Sequence, residues 1–263
     1  MNFYRDVCPG EVYSFFIVFF LMQEHIDILS MQKQQKFSEN EKMSDLINEN
    51  HSLLLVISRF GLSLGFGDQT VKQVCEANGI DCKTFLAVVN FLSEGNFEVD
   101  HSYGDISIIS VIDYLKNAHS YFLDFKLPLI RNKLIEAVSA QDQNIPYKSI
   151  FLQFFDEYES EVRKHMDYEN KVVFRYVQKM LKGESDSRYS IAVFQDRHNE
   201  IDSKLIELKN ILIKYYPAKG SNYLLTEVLF DILSCEMDIA THNQVEDYLF
   251  IPAVEELERK NKK

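Results

Sequence analysis

The chain has 263 residues, of which 46% are apolar and 26% charged, a balance typical of a soluble protein with a hydrophobic core. This balance excludes a small disulfide-stapled protein, a disordered tail, a collagen and a protein with several membrane spans. The net charge of −12 and an isoelectric point near 5.1 oppose general binding to nucleic acid or anionic lipid.

Glycine, proline and cysteine are sparse. Nine glycines and five prolines favour long helices over a strand-rich or loop-rich fold. The cysteines contain no Cys-x-x-Cys pair, so they predict neither a disulfide framework nor a zinc knuckle. They are Cys8, Cys75, Cys82 and Cys235. We expect reduced thiols, as in a cytoplasmic protein.

Residues 1–42 are expected to be an extension without function. Their apolar run, residues 12–22, has eleven residues, well short of the roughly 20 that span a bilayer. No small-residue cleavage site follows it, which opposes a secretory signal peptide. Met31 and Met43 are alternative starts, so the extension is interpreted as a mis-assigned start. Membrane attachment of this segment is the alternative.

Residues 43–97 are expected to form a small domain of three short helices. A first apolar helix covers residues 50–60, Thr70 caps a second over 71–78, and Asp81 opens a third. Such helices could build a helix-turn-helix DNA-binding unit, but the charge opposes this. Between residues 44 and 100 there are three basic and eight acidic side chains, a net charge of −5.

Residues 105–258 are expected to form a four-helix bundle. Four long segments with apolar residues three and four apart follow one another, separated by short breaks at 141–146, 183–187 and 217–221. Short breaks make neighbouring helices antiparallel, so the fold predicted is all-α, an up-down-up-down bundle preceded by the small domain. Pro128 should kink the first bundle helix.

Each bundle helix places one histidine on its apolar stripe. These histidines are His119, His165, His198 and His242. Glu169 and Glu246 follow His165 and His242 at i+4, on the same helix faces. Counts to the breaks place the histidines at similar heights. For example, His165 lies 18 residues before Gly183 and His198 lies 15 after it.

Four imidazoles and two carboxylates in one core layer predict a metal site, because buried ionised carboxylates are costly unless paired or metal-bound. Nitrogen and oxygen ligands without thiolate favour iron or manganese over structural zinc. Six ligands suit two metal ions bridged by both glutamates and an oxo or hydroxo group, with open positions for dioxygen or nitric oxide. The alternative is a metal-free helical protein with core histidines.

We expect three acidic residues to accept hydrogen bonds from the ring N–H groups of the ligand histidines. The candidates are Glu200, Asp202 and Asp238. Their alternative interpretation is that they are ordinary solvated acids.

The metal-site segments resemble the hemerythrin-like domains. His165-Met-Asp-Tyr-Glu169 and His242-Asn-Gln-Val-Glu246 match their His-x-x-x-Glu pairs. A set of four His and two Glu is most similar to the repair-of-iron-centres (RIC) family of bacteria. The segment from His119 to Leu127-Pro128 resembles the first-helix motif of that family. Arg197-His198-Asn-Glu-Ile-Asp202 resembles the third-helix motif.

The small domain also resembles the domain that precedes the bundle in RIC proteins, so the likeness covers residues 44–258. One departure is clear. The family has adjacent cysteines in the Gly-rich turn, whereas Gly65 and Phe66 stand there in this chain. Thiol chemistry assigned to that pair is not expected here.

The resemblance implies a cytoplasmic di-iron protein that helps to repair iron–sulfur clusters after nitrosative or oxidative stress. Iron–sulfur proteins would be its clients and nitric oxide or dioxygen its small ligands, with no nucleic acid or membrane partner. The centre could donate iron, reduce nitric oxide as an enzyme, or do both. The alternative is a hemerythrin-like sensor that binds oxygen or nitric oxide. The small domain offers a surface for a homodimer.

Overall fold

The computed structural model describes residues 36–94, 106–139, 148–184, 189–195, 202–215 and 223–261. Within these ranges the chain is helical, with one isolated antiparallel bridge between Lys42 and Thr70 and no named strand. The all-α prediction is therefore confirmed. Residues 38–263 form one compact unit. No helix in the described ranges is both long and apolar enough to cross a membrane.

Residues 36–94, the described amino-terminal range, contain four helices where three were expected for residues 43–97. They are α1 (Met43–Glu49), α2 (Leu53–Arg59), α3 (Val71–Ala77) and α4 (Cys82–Glu94). The additional helix arises because Asn50 adopts an extended backbone and ends α1. Its side-chain Oδ1 then accepts from Ser52 N and Ser52 Oγ, at 3.1 Å and 2.6 Å, directly before α2 begins.

Side-chain caps fix the starts of α3 and α4. Thr70 and Gln73 form a reciprocal capping box at the start of α3. Asp81 Oδ1 accepts from Thr84 N at 2.8 Å in the first turn of α4. Both capping residues were expected from the sequence.

Hydrogen bonding in this part begins before Met43. Val71 N donates to Glu41 O at 2.8 Å, and Lys72 N donates to Glu39 O at 3.0 Å. Residues 39–42 thus lie against the start of α3, although the sequence had placed them in the extension. Residues 1–35 of that extension lie outside the described ranges.

The bundle consists of four helical segments, each made of two consecutive helices; each segment is called a line below. The first is α5 (Ile108–Ser120) and α6 (Leu127–Ser139); the second is α7 (Lys148–Tyr168) and α8 (Phe174–Leu181); the third is α9 (Ala192–Gln195) and α10 (Asp202–Tyr215); the fourth is α11 (Tyr223–Val245) and α12 (Ile251–Asn261). Helix α6 packs on α7 and α11, and α10 packs on the same two helices. The four lines therefore close into a ring around one hydrophobic core.

Within the described ranges, three of these lines contain a π-helical turn. These turns are π1 (Tyr121–Lys126), π2 (Glu169–Val173) and π3 (Glu246–Phe250). Pro128 and Pro252 each follow a π turn by two residues. A proline has no N–H for the regular helical ladder, which agrees with the irregularity expected at Pro128.

The π2 turn shifts the buried stripe of the second line. Helical spacing of three and four residues, continued from His165 and Glu169, predicts Val172 and Tyr176 on the inner face. In the structure Val173 and Val177 are buried there and Val172 is exposed. A π turn takes up one more residue than an α turn, so the inner stripe moves on by one position. In the fourth line, the buried residues follow the helical spacing of three and four from Leu225 to Leu249.

Candidate metal centre

His119 lies in the last turn of α5 and is 1% exposed. Its Nδ1 lies 3.2 Å from Asn170 Oδ1. With Nδ1 as the donor of this hydrogen bond, the ring proton is on Nδ1 and Nε2 has a free lone pair. The ring of Phe174 stacks on the imidazole at 5.7 Å between centroids. One polar and one aromatic neighbour thus fix this ring.

His165 and Glu169 lie one turn apart where α7 meets π2. His165 Nε2 is 2.7 Å from Glu169 Oε1, and the other oxygen, Oε2, is 3.0 Å from His119 Nε2. Glu169 is fully buried and is the first residue of π2. One carboxylate therefore lies between two imidazoles that come from different helices.

His242 and Glu246 repeat this arrangement where α11 meets π3. His242 Nε2 is 3.4 Å from Glu246 Oε1 and 3.2 Å from His119 Nε2. Burial lowers the pKa of His242 to about 3, so its imidazole is neutral near pH 7. A neutral imidazole is the form that binds a metal ion.

Four of these residues form a compact cluster. One ligand atom from each of His119, Glu169, His242 and Glu246 lies within 4.8 Å of the others, and all four residues are buried. His165 adjoins the cluster through Glu169 and is slightly more exposed, at 12% for its side chain. Imidazole nitrogens and carboxylate oxygens are both good ligands for divalent cations.

The electrostatics of the cluster favour a cation. Two carboxylates, each fully buried, lie against imidazole nitrogens. Ionised carboxylates out of contact with water are costly unless a positive charge compensates them. A cation between the histidines would supply that charge, so the residues present fit a metal ion.

The structure does not describe every residue expected at the site. His198 and Glu200 lie outside the described ranges, and Asp202 begins α10 without a described side chain. Asp238 was expected to accept from a ligand ring N–H. Both of its oxygens accept from Arg59 Nη2, at 2.8 Å and 2.7 Å, and the guanidinium is buried. The expected contact with a ligand ring stays a prediction.

Sequence reasoning missed the contacts that orient the histidines of the cluster. Asn170 contacts His119, yet only its place directly after Glu169 could have indicated it. Phe122 packs edge-on against His242 at 6.0 Å between ring centroids, and Phe194 stacks on His165 at 6.3 Å. The π turns were not predicted either, although two ligand glutamates begin them. Such turns occur often at functional sites.

The Gly-rich turn of the amino-terminal part contains a residue with a positive φ. Gly65 has a φ of +101°, a region that residues with a Cβ atom rarely adopt.

Comparison with known families identifies a matching domain. Residues 110–254 match the hemerythrin HHE cation-binding domain, and this range includes every histidine and glutamate of the cluster. The match covers more than half of the chain. No curated protein matches this chain.

Proposed function

The chain belongs to the hemerythrin HHE cation-binding family, and from that premise we propose that its buried cluster holds two iron ions. The proposed ligands are the four histidines and two glutamates of the inner stripes. They are His119, His165, Glu169, His198, His242 and Glu246. The inclusion of His198 rests on its sequence pattern.

The position of Glu169 supports two cations in preference to one. Its two oxygens face different histidines, Oε1 towards His165 and Oε2 towards His119. His119, His242 and Glu169 Oε2 would hold one cation, and His165 and Glu169 Oε1 would hold the other. The charge of the buried Glu169 carboxylate would offset part of the charge of both cations. The contact of Glu169 with two histidines from different helices is the observation on which the proposal rests.

The donor set supports iron. Imidazole and carboxylate ligands suit iron and manganese, and thiolate ligands are missing from the described cluster. Burial raises the pKa of Cys235 on α11 to about 12, so this nearby helix offers a protonated thiol and no thiolate. Manganese is the competing metal, and metal analysis separates the two.

The protein's own residues would tune the centre. Bound iron supplies one-electron chemistry and open positions for diatomic gases. Asn170 holds the His119 ring in the tautomer that exposes Nε2. The rings of Phe122, Phe174 and Phe194 lie against three of the histidines. Electrostatic interactions are stronger in such apolar surroundings than in water, because the dielectric constant is lower.

We propose that the cellular role is repair of iron–sulfur clusters damaged by nitrosative or oxidative stress. The resemblance of the bundle motifs to those of RIC proteins supports this role. Iron donation and nitric oxide reduction are its two forms, with iron–sulfur proteins or nitric oxide as the respective partners.

A sensor of oxygen or nitric oxide is the competing proposal. The burial of His119, Glu169, His242 and Glu246, each at 0–1% exposure, favours it. A metal enclosed so completely is retained more easily than it is delivered. A sensor would bind the gas reversibly and keep its metal, whereas a donor would lose metal to its client.

Metal analysis of the whole protein tests the proposed centre. Protein loaded anaerobically with ferrous ions should contain about two irons per chain, as expected for a dinuclear site, and should show near-ultraviolet absorption after oxidation. A His165→Ala/Glu169→Ala variant should lose both. A wild-type chain that takes up no iron and no manganese would overturn the proposal.

A second measurement separates the cellular roles. The loaded protein is mixed with a nitric-oxide-damaged [4Fe–4S] dehydratase, and the recovered activity, the iron left on the chain and any nitrous oxide are measured. Recovery with loss of iron supports donation, and nitrous oxide supports reduction. Reversible gas binding with neither result supports the sensor and contradicts repair.

A further inference from the structure

Arg59, the last residue of α2, reaches from the amino-terminal helices into the bundle. Its residue exposure is 3%, and its Nη2 donates to both oxygens of Asp238 on α11, at 2.8 Å and 2.7 Å. The guanidinium also lies over the rings of Tyr114, Tyr121 and Phe122, at 6.0, 5.6 and 5.1 Å from their centroids. The cation is therefore paired and enclosed by aromatic rings.

The backbone oxygen of Arg59 accepts a further hydrogen bond from the bundle. Asn117 Nδ2 on α5 donates to Arg59 O at 2.7 Å. Asn117 precedes His119 by two residues, and Asp238 precedes His242 by four. Arg59 is thus hydrogen-bonded to α5 and α11, the two helices that carry His119 and His242. Both bonds lie within about one helical turn of the histidine on that helix.

A third contact leads from Arg59 to the cluster itself. Phe122, which has the shortest guanidinium-to-ring distance of the three, packs its ring edge-on against His242. Side chain, backbone and ring contacts all converge on the pair His119 and His242. Their Nε2 atoms are 3.2 Å apart.

We propose that Arg59 is a positioning residue of the metal centre, which ties α5 to α11 beside His119 and His242 and limits the rate at which a bound cation leaves. This inference rests on the proposed metal centre. The cluster is buried, so the ligand helices must separate before a cation can escape. Because Arg59 belongs to α2, displacement of the amino-terminal helices would also loosen the site.

The test measures release of ferrous iron from the full chain to a ferrous-specific chelator under anaerobic conditions. Arg59→Met should release iron about tenfold faster than the wild type, since outer contacts of metal ligands typically change metal affinity 10- to 100-fold. Arg59→Lys keeps the charge near Asp238 and should recover part of the wild-type rate. Asn117→Ala removes only the hydrogen bond to the backbone oxygen of Arg59. Its rate of iron release should lie between those of the wild type and Arg59→Met.

Lys209→Met is the matched control. Lys209 on α10 donates to Glu236 on α11 at 2.7 Å and 2.9 Å, so this change also breaks an ion pair of α11. It leaves every contact of Arg59 in place. Its iron release should stay at the wild-type rate, even if its melting temperature falls as far as that of Arg59→Met.

Each outcome decides the question. Equal rates for Arg59→Met and the wild type would overturn the inference alone, as would equal acceleration by Lys209→Met, because general stability would then set the rate. A wild-type chain without bound metal overturns the proposed function and this inference together. If Arg59→Met does not fold, Arg59→Met/Asp238→Met removes both charges, and its release should still be faster than that of the wild type.

Discussion

His119 and His242 present their Nε2 atoms to each other at 3.2 Å in the centre of the bundle. Two imidazole lone pairs at this distance repel unless a proton or a cation lies between them. The Asn170 contact places the proton of His119 on Nδ1, so its Nε2 accepts. Without metal, His242 can donate its own proton across the gap. With metal, both nitrogens can bind the same ion.

Metal-free protein should lose stability as the pH falls from about 6.5 towards 3. Burial lowers the pKa of His242 from 6.5 to about 3 in the folded state, so only the unfolded state takes up a proton in this window. The contribution of His242 to the free energy of unfolding is complete above pH 6.5. It is lost as the pH falls, by about 1.4 kcal/mol per pH unit. Urea unfolding of chelator-treated protein at several pH values measures this slope.

His242→Gln is the control for this pH dependence. Glutamine does not titrate, so the variant should show a shallower slope between the same pH values. A variant with the wild-type slope would assign the effect to other groups.

Glu169→Gln should abolish the binding of at least one of two iron ions. The amide removes the negative charge and one oxygen ligand from between His165 and His119. In the absence of metal, the same change should raise the free energy of unfolding, because it removes a buried carboxylate charge. Metal analysis and thermal unfolding of metal-free protein check the two effects.

Glu159→Gln offers a matched control on the same helix. Its carboxylate pairs with Arg163 at 3.1 Å and is partly exposed. Such pairs contribute about 0–1 kcal/mol, and this one is remote from the cluster in its contacts. The variant should keep its metal content, and loss of metal in both variants would contradict the assigned role of Glu169.

Asn170→Leu should weaken metal binding by about 10- to 100-fold while leaving the ligands in place. The leucine cannot accept from His119 Nδ1, so the ring can rotate or change its tautomer. Asn170→Asp keeps an acceptor oxygen and should bind metal more tightly than the leucine variant. Competition with a chelator of known affinity gives the ratios, and equal affinity of all three proteins would argue against this role.

The sequence was informative about the helices and the ligand stripe because both follow from local spacing. A histidine and a glutamate four residues apart share a helix face wherever the helix lies. Arg59 and Asp238 are 179 residues apart, and no local pattern marks their pairing. The burial of Val173 in place of Val172 depends on a π turn, a rare interruption of an α-helix that adds one residue to the spacing. Asn170 lies inside that same turn.

Deletion of Val172 should convert π2 into a regular α turn. Val172 is exposed, and the residues on either side of the deletion would keep the inner stripe of Val173 and Val177 in register. We expect the helical circular dichroism signal to survive and the metal affinity to fall, because the orientation of Glu169 changes with the turn. Val172→Ala keeps the length of the turn and should bind metal normally. Unchanged affinity after the deletion would show that the π turn is dispensable.

Glu258, near the carboxyl end of α12, acts as an anchor for a distant stretch of chain. Its carboxylate accepts from Tyr176 Oη and Ile191 N at 2.8 Å, and from Ser190 Oγ at 3.1 Å. Ile191 and Ser190 directly precede α9, on the line whose sequence carries His198. Trimming the chain by six residues, or fusing a tag that displaces this end, would release that line. Purification tags therefore belong at the amino terminus, where they leave the contacts of Glu258 with Ser190 and Ile191 intact.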